Sequence, residues 1–358
     1  MGDYWIAAKS LFDQLQLDVI VPPETTKKTI ELGVKYSPEF ACFPLKVTLG
    51  NFIEAAEKGA DTFIIPGGIG PCRFGFYGPI HKEVLNDLGY RTNLIIVEPP
   101  AAGIFNLIRG IAPILTKLKY GQAKTAVNIF WAKLKAIDQI KKTENINRGR
   151  TAQTNDLNKL TSQTLQQIQN ISSIEEINDL SRKYTETVIE LSDSQKHPLK
   201  ILIIGEIFLV LDEVSNQKIE KKLGNLGVEV DKSIYLSDWI LENLTPGNNR
   251  QKDKKQKIEQ LAKPYLKDFV GGHGRESVGE TVLASSEGYD GVIHISPFTC
   301  LPEITAQGIL PQIGYDKNIP IMSLSFDEQT GEAGINTRLE AFVDLITRSK
   351  WQISSKIL

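Results

Sequence analysis

The chain has 358 residues, 41% of them hydrophobic, a size and composition typical of two or more domains with cores of their own. The formal net charge of −2 gives no electrostatic case for nucleic-acid binding. No apolar run is long enough for a membrane span, the N-terminus lacks a secretory pattern, and three cysteines make a disulfide framework unfavourable. We therefore expect a soluble cytoplasmic protein.

Three short β-branched runs are predicted as strands in the first part of the chain. They are residues 17–23 (LDVIVPP), 61–67 (DTFIIPG) and 93–100 (NLIIVEPP), each ended by proline or glycine. Between the first two runs, apolar residues recur at helical spacing from Leu45 to Ala56, which predicts a helix packed on the sheet.

The middle of the chain, residues 101–198, has a different composition. It is rich in Lys, Gln, Asn, Thr and Ser, and no proline occurs between Pro113 and Pro198. Its apolar residues follow a helical period without strand-like runs, so we predict a helical insertion.

A second series of apolar runs predicts four more strands, at residues 199–205, 227–233, 290–296 and 320–326. Continuous apolar strands separated by helices are typical of parallel sheets covered on both faces.

The predicted fold class is therefore α/β, with two Rossmann-like or flavodoxin-like parallel-sheet lobes. Residues 1–100 form the first lobe, 101–198 the helical insertion and 199–358 the second lobe.

Two glycine-rich stretches resemble nucleotide loops but lack the chemistry. The stretch at 274–281 (GRESVGET) has the frame of a P-loop, yet Glu280 stands where lysine would neutralise phosphate. In GGIGPCRFG, Pro71 removes an amide that a phosphate cradle would use. We read both as tight turns.

The three cysteines, Cys42, Cys72 and Cys300, each lie beside proline or glycine in a strand-to-helix loop. Pro44 and Pro302 follow two residues after the first and the last of them, and proline at that place predicts a helix start. The sulfurs should then lie just ahead of helix N-termini, whose partial positive charge favours the metal-binding thiolate.

The residues alone leave three interpretations of these cysteines open. No C-x-x-C pair is present, as zinc sites usually have, whereas three isolated thiolates suit an iron–sulfur cluster with one open iron. Alternatively, the cysteines pack in apolar cores, or two of them exchange a disulfide.

Five polar residues near the cysteines are candidates for a role at the site. Arg73 suits neutralisation of cluster charge, an anionic substrate or a structural contact, and Lys46 is predicted as a solvated lysine. Glu303 is predicted as a helix-capping group, His294 as a hydrogen-bonded strand histidine and His273 as a loop residue able to act in catalysis.

Three sequence blocks carry a resemblance to a known family: ELGVKYSPEFACFPLKVTLGNF, GADTFIIPGGIGPCRFGFYG and DEQTGEAGINTRLEAFVD. They resemble the 2-hydroxyacyl-CoA dehydratase superfamily, and most closely its stand-alone branch labelled CoA protein activase or acyl-CoA dehydratase activase-related protein. Relatives usually have a strand ahead of the block that begins MGDYWIAAK here, so we expect a first lobe short of one strand.

The resemblance implies a 4Fe-4S cluster between two α/β lobes, with Cys42, Cys72 and Cys300 as its ligands. Their sulfurs should then converge to within roughly 7 Å, around one small cluster. It also implies a separate ATP-hydrolysing activator of the sugar kinase/actin type, which delivers one electron at very low potential.

The leading hypothesis is a low-potential iron–sulfur protein of anaerobic metabolism. It would be a dehydratase-like lyase or an ATP-coupled reductase component, acting on a small molecule or an acyl-CoA, alone or as a homo- or heterodimer. The alternative is a non-redox two-lobed binding or regulatory protein with structural cysteines.

Overall fold

The structure is a computed structural model that describes residues 2–68, 70–97, 120–244 and 249–354. Its strands form two sheets, one of two strands and one of four, and every strand pair is parallel. The predicted α/β fold with two parallel-sheet lobes is confirmed. Within the described ranges, no helix is both long and apolar enough to cross a membrane.

The first lobe has a small sheet covered by helices. Strands β1 (Thr62–Pro66) and β2 (Asn93–Val97) pair in parallel. The helices of this part of the chain are α1 (Trp5–Gln14), α2 (Lys27–Tyr36), α3 (Phe43–Glu57) and α4 (Tyr77–Asp87). Helix α3 is the one that the apolar spacing predicts. Its buried side chains pack with those of β1 and α4.

The predicted strand at 17–23 is wrong. This segment runs between α1 and α2 without pairing to any described strand. Pro22 and Pro23 end it, and proline removes the amides that a sheet ladder requires. Residues 98–100 of the third predicted strand lie outside the described residues.

In the middle of the chain, the described residues form three helices. They are α5 (Tyr120–Arg148), α6 (Thr154–Asn170) and α7 (Ile174–Glu190). Helix α1 packs on α5, so Ile6 and Ala7 share one apolar cluster with Leu134 and Ile137. Residues 101–119 of the predicted insertion lie outside the described residues, and the three predicted domain boundaries stay predictions.

The second lobe contains a four-stranded sheet in the order β4–β3–β5–β6. Its strands are β3 (Leu199–Gly205), β4 (Val228–Lys232), β5 (Gly291–Pro297) and β6 (Ile321–Phe326). All four lie within one residue of the predicted bounds. All seven residues of β5 are buried, as expected for a central strand covered on both faces.

The described part of the second lobe has seven helices beside these strands. They are α8 (Ile207–Leu211), α9 (Ile219–Asn225), α10 (Leu236–Leu244), α11 (Asn249–Ala262), α12 (Gly274–Ser286), α13 (Leu301–Lys317) and α14 (Glu332–Ser354).

Helix α3 joins the two lobes. Phe43 and Val47 lie in the same apolar cluster as Ile295 of the second lobe. Lys46 is buried, and its Nζ lies 2.6 Å from a carboxylate oxygen of Glu328, which follows β6. The expectation that Lys46 is solvated is therefore wrong, because its charge is used in an ion pair between the lobes.

Candidate functional site

Each cysteine lies at the N-cap of a helix. Cys42 precedes α3, Cys300 precedes α13, and Cys72 precedes a one-turn 3-10 helix (Arg73–Phe76). The two predicted helix starts are confirmed, with proline in the first turn of each. Local sequence therefore places all three sulfurs ahead of exposed helical amides.

All three cysteines line one cavity of about 1400 Å³ between the lobes. The carboxyl ends of three parallel strands contribute to its wall, through Pro66 at the end of β1, Glu206 after β3 and Pro297 at the end of β5. This is the place where open α/β sheets bind their ligands. The distance among the three sulfurs and their role as ligands stay predictions.

Arg73 connects the cysteine loops. Its Nη1 donates a hydrogen bond to the backbone carbonyl of Phe40 at 2.8 Å. Its Nη2 donates to the backbone carbonyl of Thr299 and to the Thr299 hydroxyl, the latter at 3.2 Å. The guanidinium beside Cys72 thus holds the loop before Cys42 and the loop before Cys300. The structural contact foreseen for Arg73 is present.

The hydrogen bonds from Arg73 to Thr299 also stabilise an unusual backbone conformation. Thr299 has a φ of 67°, in the left-handed region that β-branched residues rarely adopt. Such a conformation persists only where its surroundings fix it, and the two bonds from Arg73 do so directly. The turn places Cys300 at the start of α13.

Tyr77 is a contact that sequence reasoning missed. Its hydroxyl oxygen lies 2.6 Å from Sγ of Cys42. Burial raises the pKa of Tyr77 well above its ordinary value, and Cys42 raises it further, so the hydroxyl keeps its proton. Tyr77 can therefore donate a hydrogen bond to the sulfur. Its position, five residues after Cys72, carries no local motif that would reveal this contact.

Burial opposes the expected effect of the helix N-termini, which is to favour the thiolates. Burial raises the pKa of each of the three thiols, and the carboxylate of Glu206 raises each one further. The Tyr77 hydroxyl lowers the pKa of Cys42 only in part. Desolvation outweighs the helix dipole because the dipole is worth only about 0.3–1 kcal/mol.

Glu206 is the second missed residue. It follows β3 directly, and its carboxylate accepts hydrogen bonds from the amides of Phe208 and Leu209 at 3.0 and 3.1 Å. Burial raises its pKa to about 7, and the nearby Glu303 contributes. The signal in the sequence was a carboxylate directly after a strand-ending glycine. Gly205 has a φ of 135°, and a Cβ there would lie 1.9 Å from the carbonyl oxygen of Ile295.

Glu303 is fully buried and does not cap the helix, so that expectation is wrong. Its Oε2 accepts hydrogen bonds from Ser277 Oγ at 2.9 Å and from His294 Nε2 at 2.8 Å. The strand histidine is thus hydrogen-bonded, as expected. Nearby, Trp239 Nε1 donates to His273 Nε2 at 3.1 Å, and both of these residues line the cavity.

Within the ranges that the structure describes, no group of three or more His, Cys, Asp or Glu side chains is arranged to hold a metal ion. A cube of four irons takes its ligands at separate corners, which lie farther apart than the ligands of one ion. The finding therefore argues against a site for a single metal ion among the described residues, and it does not test a cluster. For a cluster, the chemistry of the donor set fits, because three thiols from three loops face one cavity.

Two family models match the chain. The model described as 2-hydroxyglutaryl-CoA dehydratase, D-component, matches residues 121–346, which include Cys300. The model described as CoA enzyme activase uncharacterised domain matches residues 1–70, which include Cys42. No curated protein matches the chain. Since the first model covers more than half of it, the chain belongs to the 2-hydroxyglutaryl-CoA dehydratase D-component family, in the activase-related branch of the 2-hydroxyacyl-CoA dehydratase superfamily.

Proposed function

We propose that this chain holds a 4Fe-4S cluster through Cys42, Cys72 and Cys300 and passes single electrons at low potential to a small molecule in the interlobe cavity. The observation that supports this most is the meeting of three N-cap cysteines, from three separate loops, on one cavity wall. Such a cluster supplies one-electron chemistry, and three protein ligands leave one iron open to a further ligand.

The surrounding residues suit a negatively charged group. The guanidinium of Arg73 is fixed between the cysteine loops and brings a permanent positive charge. The Tyr77 hydroxyl can donate to Cys42, and hydrogen bonds to cluster sulfurs tune the reduction potential. Two α-helix N-termini add partial positive charge.

A separate ATP-hydrolysing activator of the sugar kinase/actin type is part of the proposal, as is the cytoplasmic location where ATP is supplied. The stretch with a P-loop frame lies in α12, so the expectation of a tight turn there is wrong, and Glu280 within it pairs with Lys254 at 3.6 Å. This carboxylate makes the stretch unsuited to phosphate. We expect no ATP binding by the isolated chain in equilibrium dialysis, and tight stoichiometric binding would contradict the division of labour.

The activator has an apolar surface available beside the cysteines. Phe40 is 75% exposed, Phe298 61% and Leu301 60%, and all three lie within two residues of Cys42 or Cys300. An electron donor must approach a buried cluster closely, so we assign these side chains to its docking.

The cluster assignment is tested with single Cys→Ala variants purified anaerobically. We expect the brown colour and broad visible absorption of the wild type to be lost in each of the three variants. The control Thr305→Ala, an exposed change on α13, should keep the wild-type spectrum. A spectrum unchanged by a cysteine substitution would remove that cysteine from the ligand set.

The alternative is a non-redox binding or regulatory protein with structural cysteines. The raised thiol pKa values favour it, because they keep the thiols neutral. In that case the wild type would be colourless, and Cys→Ala changes would alter only stability. Disulfide exchange remains a third hypothesis, and the three cysteines are free in the structure.

A further inference from the structure

Glu303 carries an unpaired carboxylate oxygen at the cavity. Its side chain is fully buried, and Oε2 already accepts from Ser277 and His294. Oε1 has no hydrogen-bond partner among the described residues. A buried polar atom without a partner costs about 1–3 kcal/mol, and more for a charged group, so such an atom calls for a ligand. Since Glu303 lines the cavity, a molecule held there can supply the donor.

His273 lines the same cavity, and its hydrogen bond with Trp239 determines which ring nitrogen carries the proton. Trp239 can only donate, so His273 Nε2 accepts its hydrogen bond. Burial lowers the pKa of His273, which keeps the ring neutral. The ring proton therefore lies on Nδ1. Gly272 and Gly274, on either side of His273, both pack against Pro302, the residue before Glu303, so an acceptor and a donor lie near each other in this part of the cavity.

The unpaired acceptor in the wall restricts the class of ligand. An anionic group has no donor to offer Oε1 of Glu303. An ammonium group has donors but no acceptor, and it would leave the His273 donor unused. A hydroxyl group both donates and accepts, so it matches the two wall groups together.

We propose that Oε1 of Glu303 binds the hydroxyl group of an uncharged small molecule, with the apolar part of that molecule in the interlobe cavity. The assignment rests on the proposed function for the role of the cavity, and it names a ligand class and a binding residue there. Binding of this hydroxyl group can be measured whether or not the chain holds a cluster or transfers electrons.

Replacement of Glu303 by glutamine should change the hydrogen-bonding group that faces the ligand. Ser277 and His294 both donate to the Oε2 position, so the amide oxygen should take that position. The amide nitrogen then occupies the Oε1 position, and an acceptor becomes a donor. The wild-type cavity should therefore prefer a ligand that donates a hydrogen bond, and the Glu303→Gln cavity should prefer a ligand that accepts one.

The test uses two aromatic probes of similar size, benzyl alcohol as a donor and acetophenone as an acceptor. Saturation-transfer NMR on the anaerobically purified full chain, with its iron content recorded, should show that the wild type prefers benzyl alcohol. Glu303→Gln should reverse this preference by about tenfold, the effect expected for one charged hydrogen bond. The control Glu280→Gln changes a buried glutamate that does not line the cavity and should leave the preference unchanged.

An unchanged preference in a folded Glu303→Gln protein overturns the proposal, as does stronger binding of benzylamine than of benzyl alcohol to the wild type. If Glu303→Gln does not fold, Glu303→Asp keeps the charge but withdraws the carboxylate, and it should weaken benzyl alcohol binding alone. If the purified chain shows the expected probe preference but contains no iron, only the cluster assignment is contradicted. If it contains iron but does not prefer benzyl alcohol, only the assignment of Glu303 is contradicted.

Discussion

At the scale of single residues, Arg73 is the side chain on which the arrangement of the site depends most. It belongs to the Cys72 loop, and its hydrogen bonds reach the loops of the other two cysteines. The planar guanidinium presents several donors in fixed directions, whereas a lysine ammonium is a single point on a flexible stem. Lysine at this position can reach at most one of the two carbonyls.

We expect Arg73→Lys to release iron to a chelator about tenfold faster than the wild type, because a lost charged hydrogen bond costs about 1.5–3 kcal/mol. The matched control is Arg338→Lys, since Arg338 also donates to a backbone carbonyl, that of Ser323, and neither residue lines the cavity. The rate is measured anaerobically by chelator absorbance. Equal rates in both variants would show that Arg73 does not hold the loops.

His81 should make the free energy of unfolding depend on pH. It is fully buried beneath Tyr77, and burial lowers its pKa from 6.5 to about 4. The unfolded chain therefore takes up a proton before the folded one, and stability is lost as the pH falls below 6.5. The loss reaches at most about 3 kcal/mol near pH 4.

Urea unfolding at pH 7 and pH 5 measures this effect. His81→Gln should reduce the difference between the two pH values, because glutamine does not titrate. His197→Gln, at an exposed histidine, should leave it unchanged. An undiminished pH difference in His81→Gln would assign the effect to other groups.

At the scale of elements, the contact between α2 and α3 sets the direction in which α3 presents Cys42. Two glycines permit this contact. A Cβ at Gly33 would lie 1.7 Å from the carbonyl oxygen of Lys46, and one at Gly50 would lie 1.9 Å from that of Thr29. Neither helix can keep its place if a side chain is added, since the obstructing atoms are backbone.

Gly50→Ala should lower the free energy of unfolding by about 3 kcal/mol through overpacking. Its control is Gly308→Ala on α13, where an added Cβ meets no atom within 4 Å. That change should raise the free energy of unfolding by up to about 1 kcal/mol, because alanine favours helix over glycine. Similar effects at the two positions in chemical denaturation would mean that the α2–α3 contact is not tight in solution.

At the scale of the whole molecule, the ion pair between Lys46 and Glu328 links the two lobes beside their shared apolar cluster. Lys46 is only 7% exposed, so its charge depends on this partner. Removal of one partner leaves a poorly solvated charge, and we expect Glu328→Gln to cost about 2 kcal/mol of stability.

A double-mutant cycle with Lys46→Met and Glu328→Gln should give a coupling energy of about 1–2 kcal/mol. The control cycle uses Lys9 and Asp13, which pair at 2.6 Å on the exposed face of α1. Exposed pairs of this spacing contribute about 0.3–0.5 kcal/mol. A coupling between the lobes no larger than the control value would show that this pair does not hold them together.

The sequence predicted those parts of the molecule that depend on local patterns. Strands β3 to β6 and the helix starts at Pro44 and Pro302 follow from short-range periodicity and turn chemistry. The strand at 17–23 failed because pairing needs a neighbour that composition does not reveal. The contact of Tyr77 was missed, and the partners of Arg73 were not identified, for a similar reason, since these partners lie on distant loops.

The central claim, a three-cysteine cluster between the lobes, is tested most directly by the iron and acid-labile sulfide content of the anaerobically purified wild-type chain. The account expects about four irons and four sulfides per chain, as a 4Fe-4S cluster contains. It also expects the broad visible absorption of the protein to bleach on reduction. A colourless chain with neither iron nor sulfide, after reconstitution with both, would contradict the claim and leave the cysteines with a structural role.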